Sequence, residues 1–319
     1  MDGIVVVNKP YGATSHQVVQ SVRRTVPPVK AGHSGTLDPI ATGVLPVCLG
    51  RATRIVEYII DHPKTYRAAV TLGKTTDTED SAGRITGFSQ VPGLDREQVE
   101  EILAGFKGKI EQLPPLYSAV KYRGKPLYRW TRSGKEVPRK PRLAEIYRIE
   151  LLEYNHDREP QLVFDVVCSK GTYIRTLAVD LGKAIGCGGH LSSLVRLAVG
   201  PFVLENAFSM DQIAELSNRG RLDEIVEPMD TALRLMPALY LEEELINALK
   251  NGQSIYLEDR ESLDPPKINN GLSYKVKERT DLEGAKARIY DRANNFKAIG
   301  RLENSGEGFR VKTLKYLAP

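Results

Sequence analysis

Residues 32–46 read Gly-His-Ser-Gly-Thr-Leu-Asp-Pro-Ile-Ala-Thr-Gly-Val-Leu-Pro. Glycines at 32, 35 and 43 punctuate a loop, and one carboxylate, Asp38, projects from it just before Pro39. Glycine lets backbone approach a ligand closely, and loops on a rigid scaffold often carry chemistry. The local residues also allow a plainer reading, an Asp-Pro helix cap with glycine turns. The flanks set the fold. Upstream, Ile4–Val7 reads as a β-branched strand closed by Asn8, Pro10 and Gly12. Thr14 and Gln17 then fit a capping box ahead of the helical stripe Val18, Val19 and Val22. Downstream, the pattern predicts strand over Val44–Leu49, helix over Arg51–Ile60, and an alternating strand over Lys64–Leu72. Asp95 with Gln98 caps an amphipathic helix bearing Val99, Ile102, Leu103 and Phe106. Strands are expected near 143–154 and 161–169, followed by a helix with Thr172 as N-cap, Ile174, Leu177, Ala178 and Leu181 inside, and Gly186 at its end. Helices and strands mix without a βαβ rhythm, which predicts an α+β fold around a central mixed, largely antiparallel sheet.

The 319 residues suffice for about two domains. A boundary is expected at 236/237. The tail beyond it has one short helix, Glu242–Lys250, and brief strand-like runs separated by Pro265-Pro266, Asn269-Asn270-Gly271 and Gly306–Gly308. With 41% hydrophobic and 27% charged residues the chain is an ordinary globular one, not disordered or fibrous. Its three cysteines make neither a disulfide scaffold nor a C-x-x-C zinc pair. No signal-like start and no apolar run of membrane-spanning length is present, so a cytoplasmic protein with reduced thiols is expected.

The 45 basic against 40 acidic side chains give a net charge of +5, and its distribution is informative. Tyr117–Arg142 holds Lys121, Arg123, Lys125, Arg129, Arg132, Lys135, Arg139, Lys140 and Arg142 against the single acid Glu136, leaving the remainder of the chain slightly negative. Tyr117, Tyr122, Tyr128 and Trp130 are interleaved with them. Cations displace counterions from phosphates and rings stack on unpaired bases, so the stretch fits a nucleic-acid surface, though a solvated basic face has the same composition.

Several enzyme signatures fail. Gly73-Lys74-Thr75 resembles the end of a P-loop, but Ala68 stands where its first glycine belongs. The five histidines form no H-E-x-x-H, no G-x-S-x-G elbow occurs, and Ile40 stands where a second aspartate would follow Asp38. Two residues remain conspicuous. Arg175 falls in a first helical turn, where the dipole disfavours a cation unless an anion sits beside it or the side chain reaches water. Tyr66 alternates with Ala68, Val70 and Leu72, the pattern of a core position.

Four blocks resolve these features: GHSGTLDPIATGVLPVCLGRAT (32–53), TLGKTTDTEDSAG (71–83), QLPPLYSAVKYRGKPLYRWTRSG (112–134) and SKGTYIRTLAVDLG (169–182). With Asn8–Ser15 they closely resemble the TruB family of tRNA pseudouridine synthases, from residue 8 to about 202. The resemblance implies a pseudouridine-synthase fold over 1–236, with a basic flap at about 112–142, and a PUA-like RNA-binding domain over 237–319. It implies isomerisation of uridine 55 in the tRNA T-loop, without cofactor or metal. Asp38 corresponds to the catalytic aspartate, Tyr66 to the tyrosine stacked on the target base, and Arg175 to the arginine paired with the aspartate. Tyr173 and Leu194 correspond to residues lining the uridine pocket, Asp80 to a carboxylate near the RNA, and His33 to the histidine supporting the opened loop. Lys9 and Arg196 are expected at the substrate, Arg196 as a phosphate contact; Val195 replaces the basic residue that usually precedes it. The flap contacts are Lys121, Arg123, Lys125, Arg129 and Arg132. The expected partner is tRNA, held by its T-arm and, through the C-terminal domain, its acceptor stem, with no membrane and no obligate protein partner.

Overall fold

The computed structural model describes residues 1–135, 137–156, 158–257, 263–264, 283–305 and 308–318, without the side chains of Arg132, Leu263 and Asp264. The chain divides into two compact units, Gly3–Val226 and Glu227–Pro319.

The first unit runs β1 (Gly3–Lys9), α1 (Ser15–Thr25), β2 (Ala31–His33), β3 (Ala41–Leu49), α2 (Val56–Ile60), β4 (Lys64–Leu72), β5 (Lys74–Thr76), β6 (Ile85–Phe88), α3 (Arg96–Ala104) and β7 (Gly108–Gln112). It continues with β8 (Lys121–Tyr122), β9 (Lys125–Pro126), α4 (Leu127–Arg132), β10 (Arg142–Asn155), β11 (Gln161–Cys168), α5 (Ile174–Ile185), β12 (Gly189–Val199), β13 (Phe202–Val203) and α6 (Met210–Asn218). The chain passes to the second unit within β14 (Val226–Glu227). The large sheet has the order β1-β3-β12-β4-β11-β10-β7. β3 and β12 pair in parallel, whereas β1–β3, β12–β4, β4–β11, β11–β10 and β10–β7 are antiparallel. The α+β class with a mixed, largely antiparallel sheet is the observed one.

Capping boxes start α1 at Thr14/Gln17 and α3 at Asp95/Gln98, and a third, Ser209/Gln212, starts α6. α5 starts differently. Its N-cap is Tyr173 without a side-chain bond, and the Thr172 hydroxyl turns back to Ser169 O at 3.0 Å. Gln112 of β7 substitutes: Tyr173 N donates to Gln112 Oε1 at 2.9 Å and Gln112 Nε2 donates to Tyr173 O at 3.1 Å. The helix expected over Arg51–Ile60 is a 3-10 turn, Gly50–Ile55, that continues into α2. No clean alternation marks β12 in the sequence, because its pairing with β4 shifts register at Leu191/Ser193 and Arg196/Ala198.

Apolar clusters lie on the sheet under its helices. α5 and α3 pack Leu177, Leu181, Val99 and Leu103 against Ala68, Val70, Phe164 and Leu191, and α1 and α6 pack Val18, Val22 and Ile213 against Val5, Val7, Leu45 and Val47. Each fully buried leucine or valine contributes about 1.5–3 kcal/mol. The free cysteines are all buried, and burial pushes Cys48 and Cys168 up to about 12.

The second unit contains β15 (Ala238–Leu241), α7 (Glu243–Lys250), β16 (Ile255–Leu257), β17 (Leu263–Asp264), β18 (Lys286–Asp291), β19 (Phe296–Ser305) and β20 (Gly308–Tyr316). Their order is β16-β20-β19-β18-β15-β17, around Leu239, Ile246, Leu249, Ile289, Phe309 and Val311. The expected 236/237 boundary falls inside this unit: Tyr290 Oη donates to Asp230 at 2.7 Å and Arg288 Nε donates to Met236 O at 3.1 Å. The turns expected at Pro265-Pro266, Asn269–Gly271 and Gly306 lie outside the described residues.

Candidate active site

Asp38 stands between β2 and β3, and the segment after it is strand, so the helix-cap alternative does not occur. Its loop is clamped on both sides. Ser15 Oγ donates to Leu37 O at 3.1 Å and accepts from Leu37 N at 2.8 Å. Lys9 Nζ donates to Ala13 O at 2.6 Å, Pro10 O at 2.9 Å and Pro39 O at 3.4 Å. Gly12 N donates to Pro39 O at 2.8 Å. Leu37 and Ile40 anchor the loop in the core beside Tyr66, Ile174 and Leu194.

Across from it, the first turn of α5 delivers Arg175. Its Nε lies 2.9 Å from Asp38 Oδ2 and its Nη2 donates to Asp38 Oδ1 at 3.3 Å, a two-pronged pairing between residues 137 apart in sequence. Other donors reach Thr78 O at 3.3 Å and Tyr117 O at 2.9 Å, and Asp80 Oδ2 lies 3.9 Å from Nε. Thr78 Oγ1 and Ala82 N aim Asp80 by donating to its Oδ1 at 2.6 and 3.1 Å. Two carboxylates thus answer the cation that the helix dipole disfavours. The Arg175 side chain is 6% exposed, and that of Asp38 is 35% exposed, open to a ligand. Burial pushes the Asp38 carboxyl above the ordinary carboxylate range; Arg175 and Lys9 pull it back, and Asp80 adds to the rise.

A row of paired residues explains the rest. Lys9 of β1 faces Gly43 of β3, Gly43 faces Arg196 of β12, and Arg196 faces Tyr66 of β4. Residues opposite one another across strands share a face of the sheet, so the sheet itself collects Lys9, Arg196 and Tyr66. Gly43 has φ +98, and a Cβ there would lie 2.3 Å from Arg196 O. Tyr66 and Leu194 are buried beside Leu37 and Ile40, and Tyr173 is half-buried at the mouth of α5. His33 is half-buried on β2, where burial and the Arg196 charge pull its pKa below the usual imidazole value. It is therefore uncharged at neutral pH.

Two expectations change. Arg196 is not an outward phosphate contact: it is 1% exposed, its Nε donating to Val44 O at 2.7 Å and its Nη2 to Gly35 O at 3.3 Å. Lys9 is fully buried on the three carbonyls above, and burial draws it down to about 8. Both support the loop from beneath. Ser15, Gln112 and Lys64 also carry no local signal of their roles; Lys64 is buried against Ile60 O and His62 O and drawn down to about 8. Cations are rarely buried, so nothing local marks these.

The flap begins beside α5. Thr176 Oγ1 donates to Leu113 O at 3.4 Å, and Arg139 Nη1 donates to Pro114 O at 2.9 Å. β8 and β9 form a hairpin turning at Arg123 (φ 47) and Gly124 (φ 79), with Lys121, Arg123, Lys125 and Arg129 exposed. Arg132 ends α4, its side chain outside the described set. Two of the aromatics pack on each other: Trp130 meets Tyr122 edge-on at 6.0 Å and donates its Nε1 to Tyr122 O at 3.2 Å. Lys125 and Lys135 lie over the Trp130 ring at 5.8 and 5.9 Å, and Arg123 over Tyr122 at 5.5 Å. Among the described residues no helix is long and apolar enough to cross a membrane, and no group of three His, Cys, Asp or Glu side chains is placed to hold a metal ion.

Comparison with known proteins points the same way. Residues 23–174 match the model of the TruB family pseudouridylate synthase N-terminal domain, and 175–234 that of the tRNA pseudouridylate synthase B C-terminal domain. A tRNA pseudouridine synthase B of Dehalococcoides mccartyi is 43% identical over 319 residues, covering 100% of this chain and 98% of that one. Another, of Francisella philomiragia, is 49% identical over 226 residues, 70% of this chain and 74% of that one. Among solved structures, a chain of a Cbf5-Nop10-Gar1 complex superposes with TM-score 0.71 at 26% identity, over 99% of this chain and 85% of that one. The Asp38–Arg175 pair thus stands in a scaffold with well-described relatives, and the chain belongs to the TruB family of tRNA pseudouridine synthases.

Proposed function

We infer that this chain converts uridine to pseudouridine at position 55 of tRNA, with Asp38 as the reacting carboxylate. The observation that carries the assignment of the acid is its two-pronged pairing with the buried Arg175 beside an apolar floor of Leu37, Ile40, Tyr66 and Leu194. The reaction breaks the bond from ribose C1′ to base N1, joins C1′ to C5, and transfers the C5 hydrogen to N1 by way of solvent. Nothing is oxidised and no atom is gained, so the balance calls for no cofactor. A carboxylate against the ribose serves either as nucleophile at C1′ or as the base that removes the C2′ hydrogen. In both cases it must be ionised, and the Arg175 guanidinium opposes the effect of burial. Tyr66 offers a ring face to hold the detached uracil while it turns.

The target nucleotide must leave its stack, at a cost of a few kcal/mol. Lys121, Arg123, Lys125 and Arg129 are exposed on a flap whose Tyr117 carbonyl is bonded to Arg175, so phosphate binding at the flap acts next to the catalytic pair. The T-arm is the RNA element assigned to this flap. The test is Asp38→Asn: hydrogen release from uridine C5 is lost while tRNA affinity stays within about threefold of the parent. Ordinary turnover by the variant refutes Asp38 as the reacting group.

A further inference from the structure

Arg196 is one of the largest fully buried side chains in the molecule, and the established chemistry gives it no task. Burying a guanidinium costs several kcal/mol unless its donors are satisfied, and an acid is the usual partner. Among the described groups acting on Arg196 no carboxylate appears; the group that favours its charged form is the Tyr66 phenol, opposite it across the strands. Its neighbours are themselves cationic or basic, for Lys9, Lys64 and His33 all feel its charge. Stability alone would favour an apolar residue here, or an acid beside it.

Its contacts show what is gained. Nε holds Val44 O at 2.7 Å, Nη2 holds Gly35 O at 3.3 Å, and the strand register sets the residue directly opposite Tyr66. Gly35 precedes Asp38 and Val44 follows it, so one rigid planar group ties both ends of the aspartate loop to the tyrosine on β4. The register makes this possible: Arg196 faces Gly43 on one side and Tyr66 on the other, and the missing Gly43 side chain lets the two backbones close up. Lysine, a compact charge on a flexible stem, lacks the rigid planar fork that reaches Gly35 and Val44 while lying against Tyr66.

We propose that Arg196 is a positioning residue that holds the Tyr66 ring at a fixed place relative to Asp38. This rests on the reading of Asp38, Arg175 and Tyr66 as the active site. The test is a double-mutant cycle on full-length protein, measured as single-turnover pseudouridine formation with saturating enzyme. Arg196→Lys slows the reaction about 10- to 100-fold, with tRNA affinity changed less than about threefold. In the Tyr66→Phe background, where the phenol oxygen is absent, the same substitution costs less than about fivefold. An equal loss in both backgrounds overturns the proposal, as does a loss confined to tRNA affinity. A second readout needs no turnover: in protein with 13C at tyrosine Cζ, the Tyr66 resonance, assigned from Tyr66→Phe, shifts on Arg196→Lys. An unmoved resonance overturns the proposal even if the variant is unstable. Failure of the underlying reading looks different, as full activity in Asp38→Asn.

Discussion

Two opposing influences meet at Asp38. Desolvation favours its protonated form and the Arg175 guanidinium favours the carboxylate; burial is the larger, so the group titrates above the ordinary carboxylate value. If the ionised form reacts, the rate falls as pH drops through that raised pKa. Replacing Arg175 by Met removes the larger of the two cationic influences, so the acid limb moves to higher pH and the plateau drops by about 100-fold or more. A single-turnover pH–rate profile of the two proteins measures this, and coincident acid limbs would contradict it. At this scale the sequence was partly legible. A cation in a first helical turn asks for an anion, and Asp38 and Asp80 supply it. No spacing rule joins residues 137 apart; the family resemblance supplied that pairing. Arg196 was expected at a phosphate and Lys9 at the substrate because most cations face water or a ligand, whereas these two spend their donors on backbone carbonyls.

Among elements, β12 matters most for the site. It runs between β3, which follows the aspartate loop, and β4, which bears Tyr66, and its own Leu194 and Arg196 face them. The close approach at Gly43 makes that junction unforgiving. Gly43→Ala puts a methyl 2.3 Å from a backbone oxygen at a left-handed φ of +98. It should destabilise the protein by about 3 kcal/mol or more in urea unfolding, and a loss below about 1 kcal/mol would mean the strands part easily. Strands with clean alternation, such as β4, and helices with capping boxes, such as α1 and α3, announce themselves in the sequence. β12 carries two register shifts, and the α5 N-cap depends on Gln112 of another element, so neither could be found by a local pattern.

For the molecule as a whole, the second unit presents its own basic row. Lys286, Arg301 and Lys312 stand opposite one another on β18, β19 and β20, with Arg301 and Lys312 exposed. Like charges directly across strands destabilise a sheet, so such a row suits a polyanion. If it grips the acceptor stem, Arg301→Glu with Lys312→Glu weakens binding of whole tRNA more than that of an isolated T-arm hairpin, and the log–log salt slope falls by about 2. Equal losses on both RNAs would place the row against the arm itself. The sequence revealed this unit as a β-rich tail, but Asp230, which accepts the Tyr290 hydroxyl, lies before the expected boundary, because a domain edge follows contacts rather than composition. The sealed interior has one more use. Cys48 and Cys168, with thiols near 12 and no exposure, should resist an alkylating reagent at neutral pH for as long as the first unit stays shut. Each labelling event is then a timestamp of a transient opening, read by mass spectrometry without any engineered probe, and bound tRNA that braces the sheet should lengthen the wait.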